Sequence, residues 1–145
     1  MVTEDFTKKP LPAITDIDRE FWDGVNNNKL VVQKCLDCNT LQFFPRPVCV
    51  HCFGEKLGWQ EVKGTGKVYS FTIVTVPRSP AFRKQVEQTG TPIIFAAIDL
   101  DEGIRMMSQI VDCKPGDVQI GSKVKAIFEL VEGTDFKVPK FRLEK

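Results

Sequence analysis

Apolar positions recur at helical spacing near the N-terminus. Ile14, Ile17, Phe21 and Val25 fall on one face, with Trp22 beside them, as in an amphipathic helix. The spacing predicts a helix over 15–26. Thr15 is its candidate N-cap, Asp18 stands at the capping-box distance, and Asn26-Asn27-Asn28 ends it. About twelve residues are marginal for an isolated helix, so the Phe21/Trp22 face must dock. Its own domain is the first expectation. A partner chain is the alternative, since a small domain seldom needs an aromatic helix outside its core. Residues 1–13 read as an extended arm, with Pro10 and Pro12 opposing helix.

After residue 29 the pattern turns to strands. Residues 30–34 (Leu-Val-Val-Gln-Lys) and 41–44 (Leu-Gln-Phe-Phe) read as a strand and its return, and Pro45-Arg46-Pro47 then turns the chain. From Leu57 the period is two: Trp59, Glu61 and Lys63 alternate with Gln60 and Val62. Gly64 and Gly66 flank Thr65 and predict a bulge or sharp bend. The β-branched and aromatic run 68–76 is the strongest strand signal. Residues 77–90 form a long connection with room for one or two helical turns, and loops of that length are usually functional or mobile. Strands follow at 92–100, 104–111, 123–130 and 138–143, with a hairpin turn at Asp101-Glu102-Gly103. About five strands after residue 57, the first bent at its glycines, suit a closed five-stranded OB-type barrel. Closure hides the sheet edges.

Four of the five cysteines lie in two Cys-x-x-Cys knuckles, Cys35/Cys38 and Cys49/Cys52, ten residues apart. Each knuckle is a tight turn that aims two sulfurs at one point. Four thiolates around Zn²⁺ satisfy its preference for a tetrahedron. The tether is shorter than the usual four-cysteine spacing, but a strand, knuckle, return strand and knuckle is the layout of a rubredoxin-like zinc ribbon. Two disulfides are the competing reading. A disulfide within one Cys-x-x-Cys would call for a redox βαβ setting, and none appears. His51, the only histidine, sits between two ligands and is expected to point away from the metal. So small a ribbon has little core, and metal binding supplies much of its folding free energy.

Composition narrows the class. The chain has 145 residues and is 42% hydrophobic, enough for a packed core rather than a disordered segment. The first residues are acidic and polar, without an apolar signal region, and no run reaches the roughly 18 apolar residues of a membrane span. A reducing cytoplasm fits, and there thiol clusters read as metal sites. The formal charge is +1, falling to about −1 with four thiolates and one Zn²⁺. Nucleic-acid binders advertise a basic excess, which is missing. The expected organisation is mainly β: an N-terminal arm and helix (1–28), a zinc ribbon (29–56) and a C-terminal five-stranded OB-fold barrel (57–145).

Several stretches resemble the DUF35 family. They are Phe21-Trp22-Asp23-Gly24, Lys29-Leu30-Val31-Val32-Gln33-Lys34-Cys35, Phe44-Pro45-Arg46-Pro47-Val48-Cys49 and Gly64-Thr65-Gly66-Lys67-Val68-Tyr69-Ser70-Phe71. The resemblance covers roughly residues 16–143, and Cys35, Cys38, Cys49 and Cys52 fill the family's four metal positions. Asn39 stands where many members carry Gly, but Asn tolerates a left-handed backbone. The resemblance implies a non-catalytic accessory subunit of acyl-CoA enzymes of the thiolase, aldolase or hydratase type. It implies structural Zn²⁺, a thiolase-like partner in a hetero-oligomer, and a share in forming the acyl-CoA site.

Catalytic candidates on the chain are few. Thiolysis needs a cysteine activated by a base. Cys113 is the cysteine left over, and His51 is embedded in the ribbon. Asp99, Asp101 and Glu102 are conceivable acid–base groups but fall at a hairpin tip. Coenzyme A phosphates favour Arg and Lys, so Arg78, Arg83 and Lys84 on the long connection, or Arg46 beside the second knuckle, are candidate CoA contacts at a subunit border. A solvated charged face is the competing account. The functional alternative is a nucleic-acid-binding OB and zinc-ribbon module with Tyr69, Phe71 and Phe95 as stacking residues. A third reading, a stand-alone enzyme or CoA carrier, lacks a recognisable site.

Overall fold

A computed structural model describes residues 5–144. The chain runs α1 (Arg19–Asn26), β1 (Leu30–Cys35), β2 (Leu41–Gln42), β3 (Leu57–Val62), β4 (Thr65–Val74), α2 (Pro80–Thr89), β5 (Ile93–Leu100), β6 (Arg105–Val111), β7 (Lys123–Leu130) and β8 (Lys137–Leu143), with one 3₁₀ turn at Pro115–Asp117. Strands β2-β1-β3 form an antiparallel ribbon sheet, and β4-β5-β6-β8-β7 close into a barrel. The mainly β architecture with an N-terminal helix, a ribbon and a five-stranded OB barrel is the one expected.

The barrel closes through two special joints. A register shift between Val68 and Ser70 bends β4. Its first residues can then pair with Lys123–Lys125 of β7 while the rest pairs with β5. Gly66, two residues before this bend, pairs with both β5 and β7, and a Cβ there would run into the Asp99 carbonyl, so glycine permits the close approach. The second joint is a short parallel pairing of β6 with β8, Ile110 opposite Phe141. Inward-facing Val68, Ile98, Met106, Val124 and Phe141 fill the interior.

Two expectations about strands and helices need correction. The single bent strand expected from residue 57 is two strands in two sheets. β3 pairs with β1 over six residues, Leu30 opposite Val62 through Cys35 opposite Leu57. The chain leaves the ribbon at Lys63-Gly64, with Gly64 at φ +77°, and then enters the barrel. The connection 77–90 carries a full ten-residue helix rather than a turn or two. Pro80 starts it at a position where the missing N–H costs nothing. Gly90, at φ +68°, stops it.

Helix α1 docks on its own chain. Phe21, Trp22 and Val25 are buried, whereas Ile14 and Ile17 remain exposed because the helix starts only at Arg19. Thr15 is no N-cap. Instead Asp18 precedes the helix, with its carboxylate accepting from the Thr15 N–H (2.7 Å), the Thr15 hydroxyl (3.0 Å) and the Trp22 indole (3.4 Å). The Phe21 ring meets Phe43 and Phe44 of the ribbon (centroids 5.4 and 5.8 Å). Trp22 meets Phe136 just ahead of β8 (5.1 Å). The Lys137 N–H donates to Asn26 Oδ1 (3.0 Å). The helix therefore clamps ribbon to barrel. Ribbon residues Leu30, Val32 and Val62 belong to the same continuous core as Val68, Ile98 and Phe141. Ribbon and barrel do not have separate cores.

Candidate metal centre and basic side chains

The cysteine cluster is built by two knuckles of matching geometry. β1 delivers Cys35 at its last residue. The Asn39 N–H donates to the Cys35 carbonyl (2.9 Å), and the Cys35 N–H to the Thr40 carbonyl (2.9 Å). The second knuckle repeats this: Phe53 N–H to the Cys49 carbonyl (3.0 Å) and Cys49 N–H to the Gly54 carbonyl (2.9 Å). Asn39 and Phe53 occupy equivalent places, and both are left-handed at φ +61°. Asn accepts that backbone readily, while Phe is strained in it. A Cβ on Gly54 would stand 2.8 Å from Asp37 Oδ2 and 3.3 Å from Cys52 Sγ, so a side chain there would have to displace the Asp37 carboxylate and crowd a ligand sulfur.

All four sulfurs lie within 4.8 Å of one another. Cys35 to Cys52 and Cys38 to Cys49 are each 3.6 Å apart, far beyond a disulfide bond. A tetrahedron of sulfurs about 2.3 Å from a central ion has edges of about 3.8 Å. The cluster fits Zn²⁺. When bound, that ion would offset half of the four thiolate charges and tie the two knuckles together. Four sulfur ligands leave no open position for water or substrate.

Electrostatics in the cluster point the same way. Contacts from the Thr40 hydroxyl and backbone pull the Cys38 thiol down to about 6. Thr40 Oγ1 is 3.1 Å from Cys38 Sγ, and the hydroxyl is the donor when the sulfur is a thiolate. At Cys52 the Gly54 backbone contact lowers the value. The sulfurs of Cys35, Cys38 and Cys49, together with burial, outweigh it and push the thiol up to about 12. Cys38 and Cys52 are thus pushed in opposite directions by their close sulfur neighbours, and a bound divalent ion would favour the thiolate form. The exposed His51 donates its backbone N–H to Cys49 Sγ (3.3 Å).

Two glutamines that the sequence did not single out hold the second knuckle in place. Gln33 and Gln42 face each other across β1 and β2 and are almost fully buried. Gln33 Nε2 donates to the Arg46 carbonyl (2.9 Å), and the Arg46 N–H donates back to Gln33 Oε1 (2.9 Å). Gln42 Nε2 reaches Gln33 Oε1 (2.5 Å), and the Val50 N–H donates to Gln42 Oε1 (2.9 Å). Together they satisfy loop backbone groups that have no sheet partner. The available signal was a glutamine in each of two paired ribbon strands.

The basic candidates do not form one cluster. Arg46 is exposed on the ribbon loop. Arg78, Arg83 and Lys84 gather at the start of α2. Arg83 turns back, its Nε and Nη2 donating to the Pro77 and Arg78 carbonyls (3.4 and 3.3 Å). Lys84 pairs with Glu132 (3.4 Å). Cys113 is half-buried beyond β6, and burial first, then Asp117 and Asp112, raise its thiol. No hydrogen bond joins it to His51 among the described residues. Asp101 accepts from the Thr65 hydroxyl (2.5 Å) and Glu102 from the Lys63 N–H (3.2 Å), bracing the junction of β3 and β4. Of the stacking candidates, Tyr69 lies under the Arg105 guanidinium, 3.4 Å from its ring centre. Asp99 grips that guanidinium at 2.6 and 3.0 Å. Phe95 is packed against Phe82 (5.6 Å), and Phe71 is half-buried.

Comparison with known proteins finds a zinc ribbon followed by an OB-fold domain. Residues 22–58 match a model described as the ChsH2 rubredoxin-like zinc ribbon domain, and residues 59–129 match the ChsH2 C-terminal OB-fold domain. A DUF35 domain-containing scaffold protein of Methanocaldococcus jannaschii is 40% identical over 105 residues, covering 71% of this chain and 70% of the relative. The chain belongs to the DUF35 family. Another relative, a probable enoyl-CoA hydratase alpha subunit of Thermomonospora curvata, is 33% identical over 136 residues. It matches 92% of this DUF35 chain, which spans 40% of that longer protein. The benzoylsuccinyl-CoA thiolase subunit BbsA of Geobacter metallireducens is 28% identical over 112 residues, with 75% of this chain and 70% of the relative aligned. Among solved structures, the DUF35 chain titled "Ltp2-ChsH2(DUF35) aldolase" superposes with a TM-score of 0.79 at 30% identity, over 92% of this chain and 98% of that one. No helix among the described residues is long and apolar enough to cross a membrane.

Proposed function

We propose that this chain is a zinc-bound accessory subunit of an acyl-CoA enzyme complex, without catalytic groups of its own, and that its companion is a thiolase-superfamily protein. Cys35, Cys38, Cys49 and Cys52 hold the zinc, whose role is structural. The observation that carries the reading is the closed four-sulfur cluster set in a rigid three-part clamp of helix, ribbon and barrel. Such a clamp suits a scaffold, because it presents fixed surfaces on two modules at once. The names of the relatives support the class of companion: a scaffold protein, a thiolase subunit, a hydratase subunit and an aldolase partner. The thiol cluster suits a reducing compartment, so the cytoplasm is the proposed location.

The test is affinity purification from the native host, followed by mass spectrometry and molar-mass determination. A thiolase-like companion in stoichiometric amount supports the proposal. Recovery of the chain free of any acyl-CoA enzyme overturns it.

Acyl-CoA is proposed to reach this subunit at its border with the companion, with Arg78, Arg83 and Lys84 or Arg46 against the phosphates. Replacing Arg78 and Arg83 by Ala should raise KM for the acyl-CoA while the complex stays intact. Unchanged kinetics would remove these contacts from the account. Two observations weigh against the nucleic-acid alternative: Arg105 occupies one face of the Tyr69 ring, and the formal charge is only +1. Salt-sensitive retention of single-stranded DNA would revive it.

A further inference from the structure

The barrel end nearest α2 opens into a cleft of about 950 Å³, walled by the arm at Thr7–Leu11, by α2 and by the residues following β6 and β7. A second chamber of about 430 Å³, lined by Phe82, Phe95, Met107 and Pro139, adjoins it. Lys9 and Lys140 line both spaces. They form the waist between a mixed, charged chamber and an apolar one.

The charges at this waist do not balance. Lys140 is 6% exposed and pairs with Glu129 (2.7 Å). Lys9 bonds to the neutral Gln85 carbonyl and sits 5.2 Å from the centre of the Phe82 ring. No carboxylate lies within ion-pair distance of Lys9 among the described residues. Neighbouring charges pair elsewhere: Lys84 with Glu132, Lys8 with Asp5, and Asp112 with Arg142. Two ammonium groups therefore share one carboxylate in a partly desolvated place. Burial first, then the nearby Lys140, brings the Lys9 ammonium down to about 8. A buried charge without a counter-charge is costly, and an incoming anion supplies one. The flanking aromatic and aliphatic walls suit an apolar body, and both volumes are of ligand-pocket size.

We propose that Lys9 and Lys140 form the anion-binding waist of a ligand cleft that takes an amphipathic carboxylate, its tail lying in the Phe82–Phe95–Met107 chamber. Of the proposed CoA contacts only Lys84 lines the cleft, and the Lys9–Lys140 waist belongs to this chain alone, so it is testable without a companion. The assay uses the full zinc-loaded chain with ¹³C-methyl methionine labelling, titrated with octanoate. Met107, 68% exposed, lines the chamber, whereas its neighbour Met106 is 2% exposed in the core and serves as the internal control.

Octanoate should shift the Met107 methyl in a saturable way and leave Met106 nearly still. The neutral analogue octanol should bind more weakly. Lys9→Met, which keeps the apolar stem on an exposed arm, should lower octanoate affinity about tenfold, the loss of one charge-assisted hydrogen bond. An unmoved Met107 at millimolar octanoate overturns the proposal. So does equal affinity for octanoate and octanol, or wild-type affinity in Lys9→Met.

Discussion

Phe21→Ala tests whether helix, ribbon and barrel are one cooperative unit. Phe21 is 1% exposed, and its ring meets Trp22 at 4.8 Å, Phe43 at 5.4 Å and Phe44 at 5.8 Å between centroids. Truncation removes a large buried ring and leaves a cavity at the joint. Buried Phe→Ala changes cost about 3–5 kcal/mol. Against a total stability of roughly 5–15 kcal/mol, that is a large share of what holds the fold. At roughly 1–3 kcal/mol per molar urea for a small protein, the urea midpoint should fall by about 1–5 M. The assay is urea unfolding of the zinc-loaded protein, followed both by zinc transfer to a coloured chelator and by far-ultraviolet circular dichroism. With one core, both probes shift together by the full amount. If zinc release moves to lower urea while the barrel's transition stays in place, the shared-core reasoning is refuted.

Three further outcomes follow from particular contacts. Cys35→Ser should weaken zinc binding and also lower the barrel's unfolding midpoint, because the loosened ribbon adjoins the common core. A variant that keeps a full equivalent of tightly bound zinc by metal analysis would contradict the four-thiolate site. Phe53→Gly should stabilise the holo-protein by about 1 kcal/mol, since the exposed ring contributes little and the left-handed backbone suits glycine. A lower unfolding midpoint would contradict that. Asp18→Asn should cost about 1–2 kcal/mol near neutral pH. Burial of Asp18 opposes its ionisation, but the hydrogen bonds from Thr15 and Trp22 outweigh it and hold the carboxyl below 3.8. Its stabilisation is therefore complete above that value and disappears as pH falls through the lower folded value. The gap between wild type and variant in unfolding midpoint should close under acid. A gap that widens there would reverse the assignment.

Local chemistry made much of the architecture legible in the sequence. The knuckle spacing of Cys35, Cys38, Cys49 and Cys52 carries its own geometry, and the alternating strand patterns carry theirs. Phe21, Trp22 and Val25 were readable as a docking face. What the helical period could not say was where the face docks, because Phe43, Phe44 and Phe136 reach it only through the fold. Strand β3 shows the same limit: its alternation identifies a strand, but nothing in alternation chooses β1 over the barrel as partner. Ile14 and Ile17 matched the helical stripe, yet Asp18 satisfies the Thr15 backbone ahead of the helix and starts it a turn later. Gln33 and Gln42 were invisible as positioning residues, since their role depends on facing each other and on a loop they both reach. The Lys9–Lys140 waist joins residues from opposite ends of the chain, so no local pattern could reveal it.

The most direct measurement of the central claim is acyl-thioester turnover by the purified, zinc-loaded chain, compared with the same chain reassembled with its companion. The account predicts no turnover by the chain alone and activity on reassembly. Sustained turnover by the isolated chain, in a preparation shown by mass spectrometry to hold no other polypeptide, would contradict it.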